Sequence, residues 1–329
     1  MAPRKKQTCL RDSFDRSQFI YEAGQNLFLN KFQHRSVVPE RIVIYNELHE
    51  TDFVLWMQQR RWFTLYDLGY QIVVNWVREL YANMNEVSDT SFKTFVRGHE
   101  LDITPDLLSQ VLEIDRVEGA HFQIVNSRQI NYNLVAKELT GKPVAWIGCE
   151  IAQHKLSKSY RLLNIFIRHN VSPKVNKRVT KEDGYLLCYI GAQRKVDLPL
   201  MVFRGMAKVH TASHNAALPF PGVISKLLVD MGKLAEPNED IIIPKQKIDR
   251  FTLEKSKSHI TSVELDDDDE GDTTGPSGTG PLWVGPSVVA DLDAGMSRDD
   301  QMGEVAIHEL NERIGRLEVR VNEGFAKMG

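Results

Sequence analysis

Cysteine is scarce. Three residues in 329, Cys9, Cys149 and Cys188, are too few and too scattered for a disulfide framework, which fits a reducing compartment. Long apolar runs are missing as well. Nothing reaches the 18 residues that a membrane span needs, and the opening Met1-Ala2-Pro3-Arg4-Lys5-Lys6 has no apolar core of a secretion signal. The expectation is an intracellular chain with no membrane partner, with nucleus and cytoplasm both open. There is also no Gly-rich phosphate loop ending in Lys-Ser or Lys-Thr, and no Gly-x-Gly-x-x-Gly opening a strand-to-helix unit.

What is present is an ordinary globular composition, 42% apolar and 26% charged, with a net charge of −3 that hides an asymmetry. From residue 262 to the end there are 16 acidic and 5 basic residues; residues 1–261 hold 36 basic and 28 acidic, a net of +8. A basic body favours a polyanion such as nucleic acid, because neutralising phosphates releases counterions. Dispersed solubilising Lys and Arg would give the same count.

Residues 1–16 are polar and without apolar periodicity, and are expected to be a disordered basic terminus; Arg4, Lys5 and Lys6 could serve nuclear import or contact nucleic acid. Residues 17–261 read as a mostly helical body. Tyr21, Ala23, Leu27 and Phe32 suggest one helix, Ile42, Ile44 and Leu48 a short element, and Ile72 to Tyr81 a strongly amphipathic helix. Between them Phe53 to Met57 and Trp62-Phe63 are dense in aromatics. Interleaved with Arg60 and Arg61, such rings could stack on bases, but core packing is their commoner use.

The clearest local geometry is a β-hairpin. Phe92, Thr94 and Val96 alternate with polar residues, Arg97-Gly98-His99 supplies the turn, and Leu101 and Ile103 alternate again. Thr104 then caps a helix with Pro105 at its first position. Residues 127–260 read as a helical series. Ser127 opens a helix that Gly141 closes, Thr180 with Asp183 forms a capping box, Leu218-Pro219-Phe220-Pro221 makes a rigid turn, and Ile241 to Pro244 reads as a short strand or an extended strap.

At residue 262 the composition changes. Asp266 to Glu270 is an unbroken acidic run, and residues 262–303 read as a disordered Gly/Pro/Ser-rich linker. In residues 304–328, Ile307, Leu310, Ile314, Leu317 and Val321 alternate spacings of three and four, a coiled-coil-like seam for self-association or for docking on the chain's own body.

No constellation for catalysis, cofactor or metal emerges. His210 and His214 share helical spacing, but Thr211 stands where a zinc protease carries its Glu. Cys149 and His154 lack two further ligands, and Asp272-Thr273-Thr274-Gly275 is one residue too long for an aspartic protease signature. The expected catalytic, cofactor-binding and metal-ligating residues are therefore none.

Several segments together resemble the plant transposon protein domain family. Leu80-Tyr81-Ala82-Asn83-Met84, then Phe95 to Thr104, then Leu107 to Ile114 resemble its helix, hairpin and short helix. Ser159 to Pro173, Thr180 to Ile190 and Leu218 to Ile224 are similar to its later segments, in the same order over residues 35–235. Departures are Tyr81 at the usual Phe, His99 at the usual Lys and Tyr160 at the usual Trp. The family is similar to the first open reading frame of Athila-like gypsy-type retrotransposons, where a capsid-forming Gag protein is expected. The resemblance therefore implies a non-enzymatic, self-associating structural protein with no catalytic residues to carry over. The alternative is a nuclear nucleic-acid-binding module whose acidic tail mimics phosphate.

Overall fold

Helices form in this chain where apolar residues recur three and four apart, and turn residues keep them short. In chain order, a computed structural model gives α1 (Glu22–Leu27), β1 (Ile42–Val43), α2 (Asp52–Gln59), β2 (Ile72–Val73), α3 (Val74–Ala82), β3 (Phe92–Val96), β4 (His99–Ile103) and α4 (Pro105–Leu112). These are followed by α5 (Tyr132–Thr140), β5 (Glu150–Ala152), α6 (Lys158–Phe166), β6 (Arg178–Thr180), α7 (Lys181–Gly191), α8 (Leu198–Ala207), α9 (Pro221–Asp230), β7 (Ile241–Ile242) and β8 (Lys247–Ile248). The structure describes residues 14–66, 68, 71–117, 130–173, 178–211 and 216–255. The expected linker and seam helix, and all but the last three residues of the expected basic terminus, lie outside them.

The described residues are mainly α, with strands only in pairs: β3–β4, β5–β6 and β2–β7 antiparallel, and β1–β8 parallel. They divide into two units. One is drawn from Met1–Glu40, Leu68–Glu113 and Pro199–Pro244, the other from Arg41–Asp67, Ile114–Leu198 and Lys245–Gly329.

In the first unit α3 is the central helix. Trp76, Val77 and Leu80 are buried along it, and Phe92 of the hairpin stacks on Phe203 of α8 with ring centroids 5.7 Å apart. Burying side chains of this size stabilises by roughly 1.5–3 kcal/mol each. The hairpin forms as expected, with a tighter turn. Val96 pairs with His99, so only Arg97 and Gly98 turn, at φ 48° and 79°. Two positive φ values in succession are what a two-residue hairpin matched to strand twist requires, and glycine meets that requirement without strain. Thr104 then caps α4, its hydroxyl accepting from the Leu107 N–H at 3.1 Å.

In the second unit Phe166 of α6 is the hub. Phe53 of α2 meets it edge-on at 5.8 Å and Trp62 stacks on it at 6.5 Å, so most of the aromatic cluster serves the core. Leu55 and Phe63 are exceptions, each about half exposed. The Thr180–Asp183 capping box opens α7 as expected. Three expectations need correction. Asn131, not Ser127, caps α5, because its side-chain oxygen accepts from the N–H groups of Asn133 and Leu134; Ser127 lies outside the described residues. Residues 127–260 are also not wholly helical: β5 pairs with β6, β7 with β2, and β8 with β1. Likewise Ile72 and Val73 are strand rather than helix, because β7 offers them a backbone partner.

Candidate functional site

In the first unit the segments that carry the family resemblance converge on one another. Asn83 of α3 donates to the carbonyls of Gln18, Glu79 and Phe95, the Thr94 hydroxyl donates to the Leu80 carbonyl at 2.6 Å, and the Tyr81 hydroxyl donates to the Pro219 carbonyl at 2.9 Å. Three side chains close in sequence, Tyr81, Asn83 and Thr94, thus hold α3, the hairpin and the Leu218 to Pro221 turn together.

That turn ends in a strained residue. Phe220 is fully buried at φ 56°, between two prolines, and Pro221 occupies the first position of α9. Phe220 has no side-chain oxygen to cap the helix, so Glu40 does it from across the sequence: its carboxylate accepts from the Gly222 N–H at 2.8 Å and the Val223 N–H at 3.3 Å. A Cβ at Gly222 would stand 2.8 Å from that carboxylate, which explains the glycine. Burial pushes the Glu40 carboxyl up to about 7, against the pull of these N–H groups.

A second buried carboxyl, Glu79, lies on α3 at 1% exposure. Arg97, at the hairpin tip, bridges it at 3.4 Å and also pairs with Glu239. Burial again dominates and raises Glu79 to about 7, with Arg97 opposing and Glu239 and Asp15 adding to the rise. Glu79 borders a cleft of about 530 Å³ whose lining includes Gln18, Gln33, His34, Asn75 and Arg78. Chemically this offers carboxamides, a guanidinium and one carboxyl that titrates near neutrality, a set suited to hydrogen bonding and proton exchange.

The second unit spends cations where the first spends carboxyls. Arg161 donates to the carbonyls of His154 and Leu156 at 2.9 and 2.8 Å. Arg60 donates to the carbonyls of Trp56, Ile190 and Arg194 and lies over the Trp62 ring, and burial lowers it to about 10. Its neighbour Arg61 is exposed at φ 54°. Of the residues expected to contact nucleic acid, the structure therefore places Arg60 inward on backbone and Arg61 outward; Arg4, Lys5 and Lys6 lie outside the described residues. So do all five seam positions, Ile307, Leu310, Ile314, Leu317 and Val321. Asn170 is fully buried and bonds the backbone of Arg41 and Leu65. Among the described residues no group of three or more His, Cys, Asp or Glu could hold a metal. Nor is any helix among them long and apolar enough to cross a membrane.

Charge also separates the units. The described residues of the first carry 10 basic and 14 acidic side chains, those of the second 18 and 11. The basic excess read over residues 1–261 therefore resides in the second unit and in residues outside the described set. Sequence reasoning missed Glu40 and Glu79 because a buried acid carries no local signal. It did flag Tyr81, Asn83, Arg97 and Asn170, as members of motifs rather than as bonding groups.

Over residues 58–233 the chain matches a family described as a putative plant retrotransposon-related domain. No curated protein and no solved structure matches it.

Proposed function

The chain belongs to the family of plant retrotransposon-related domains, and from that membership we propose that it is a non-enzymatic, Gag-like structural protein that associates with copies of itself. The observation that carries the reading is where the polar residues of the motifs point. Tyr81, Asn83, Thr94 and Asn170 are turned onto backbone groups of their own unit, so these side chains hold the fold together rather than face a substrate. The seam Ile307, Leu310, Ile314, Leu317 and Val321 supplies the self-association. Sedimentation of the full chain against a chain ending at residue 300 tests it: the full chain is expected to sediment as an oligomer and the shorter one as a monomer. Identical monomer masses for both would sink it.

One observation favours a second reading, a nuclear nucleic-acid-binding module restrained by its acidic tail. The described residues of the second unit carry a net charge of +7, and Arg60 and Arg61 belong to it. On this reading, binding of labelled nucleic acid weakens steeply as salt rises, and removing residues 262–329 strengthens it.

A further inference from the structure

The cleft of about 530 Å³ beside α3 is lined wholly by residues of the first unit. Helical spacing builds one side of it: Asn75, Arg78 and Glu79 lie three and four residues apart and so share a face of α3. Gln18 is held to the same helix by Asn83, whose side chain donates to the Gln18 carbonyl at 2.9 Å. The remaining side comes from the π-helical turn Phe28–Phe32 and from Gln33 and His34, which follow it. Such wide turns are rare and recur at functional sites. Contacts outside the cleft fix this side too, since Phe28 meets Phe19 edge-on at 5.4 Å and Arg78 donates to the Arg35 carbonyl at 3.3 Å.

The polar side chains of the cleft are not spent on the fold. The carboxamides of Gln18, Gln33 and Asn75 and the imidazole of His34 make no hydrogen bond to another described residue, in contrast to Asn83 on the same helix. They are also within reach of a ligand: Gln33 and His34 are exposed, and Gln18, Asn75 and Arg78 are half-buried. Of the Arg78 guanidinium only Nε is sealed from solvent, Nη2 bonds Arg35 and Nη1 stays accessible. The charges around the cleft do not favour an anion. Arg78 feels the Asp240 carboxylate, and Arg97, which bridges Glu79 at 3.4 Å, also serves Glu239. A cavity of this size and lining suits a nucleoside-sized ligand whose contacting edge is uncharged and carries both donors and acceptors.

We propose that this cleft binds a nucleobase, presented by a free nucleoside or by an unstacked single strand. A carboxamide sets a donor beside an acceptor, the arrangement that meets a base edge with paired hydrogen bonds. Asn75 and Gln33 make these pairings, Arg78 donates through Nη1 to a ring nitrogen or carbonyl of the base, and Phe28 and His34 supply rings to pack against it. The site does not depend on the second reading above, which rests on phosphates and on cations of the other unit.

The test titrates the full chain with each common ribonucleoside, observed by saturation transfer from protein to ligand, and with a short single strand against an abasic strand of equal length. A nucleoside is expected to bind saturably, and the base-bearing strand about ten-fold or more tighter than the abasic one. Asn75→Ala and Gln33→Ala are each expected to weaken base binding about five-fold or more, whereas Gln59→Ala, which removes an exposed carboxamide of α2, leaves it unchanged. Because neither cleft carboxamide bonds the protein, the thermal melts of all variants should match the parent. Should Asn75→Ala melt early, the exposed Gln33 carries the comparison alone. Absence of any nucleoside binding together with equal affinity for the two strands overturns the proposal, as does base binding that both cleft variants leave intact. Binding of a nucleoside without a difference between the strands assigns the site to free nucleosides; a difference between the strands assigns it to nucleic acid. Phosphate binding by the second unit would hold both strands alike and weaken with salt, so that reading stands or falls without moving the difference between them.

Discussion

In the first unit burial raises two carboxyls, Glu40 and Glu79, to about 7; in the second it lowers a histidine, His169, to about 3. One cause produces both, since burial disfavours whichever form is charged. For an acid that means holding the proton, and for a base it means losing it. The net charges differ in the same sense, −4 over the described residues of the first unit and +7 over those of the second. The overall net of −3 describes neither. Two units built mainly from helices thus carry opposite electrostatic liabilities, and that contrast can be tested one unit at a time.

The largest expected effect breaks the second unit alone. Asn170→Ala removes three hydrogen bonds at a fully buried side chain and strands the Arg41 N–H and the carbonyls of Arg41 and Leu65. The loss is expected to be about 3 kcal/mol or more. Hydrogen exchange read by segment should show α6 and α7 opening more readily while α3 and β3–β4 keep their protection. Equal loss in both units would mean that they do not unfold separately.

The second prediction turns on pH. Glu40 and Glu79 hold protons more tightly folded than unfolded. Their contribution is therefore fully present below the ordinary carboxyl value of 4.5 and is lost as pH rises through about 7. His169 has the opposite sign: its contribution is present above its ordinary 6.5 and is lost as pH falls toward about 3. Moving from pH 7.5 to 5 should raise protection in the first unit and lower it in the second, each taken against the intrinsic exchange rate at that pH, by on the order of 2 kcal/mol for each carboxyl. Glu40→Gln, which cannot ionise, should remove about half the response of the first unit and leave the half due to Glu79. A response of the same sign in both units would remove the contrast.

How much of this was legible in the sequence follows the range of each interaction. The hairpin and the Thr104 and Thr180 caps are local: Gly98 permits the turn, and each hydroxyl reaches an N–H three residues on. They were readable for that reason. The cap on α9 was not, because Glu40 comes from 182 positions before Gly222 and nothing near Pro221 announces it. The parallel pairing of Ile42 with Lys247, and the assembly of each unit from three separated segments, are equally invisible to periodicity. Ile72 and Val73 show the ambiguity of short apolar runs: they fit the helical pattern that continues through α3, yet become strand because Ile241 and Ile242 supply a partner. At the candidate sites, Arg60 and Arg61 were visible as adjacent cations. Their divergence was not, since it depends on backbone carbonyls of Ile190 and Arg194 that arrive from elsewhere in the chain.

The smallest prediction applies one substitution chemistry to both units. Thr104→Ala in the first and Thr180→Ala in the second each remove a hydroxyl that accepts a backbone N–H at a helix start, at 3.1 and 3.2 Å. Each should lower the stability of its own unit by about 1 kcal/mol. The two differ in one respect. Thr104 works without a reciprocal partner, whereas at Thr180 the Asp183 carboxylate accepts back from the Thr180 N–H at 3.3 Å and from the Thr180 hydroxyl at 2.8 Å. Replacing Thr180 leaves the bond to its N–H available, so Asp183 retains part of the cap and the loss in the second unit should be the smaller one. Adding Asp183→Ala should then bring the second unit to a loss at least as large as that of Thr104→Ala. Thermal unfolding of the single and double variants under the same conditions measures the difference. Equal losses from the two single substitutions would show that the reciprocal bond adds nothing.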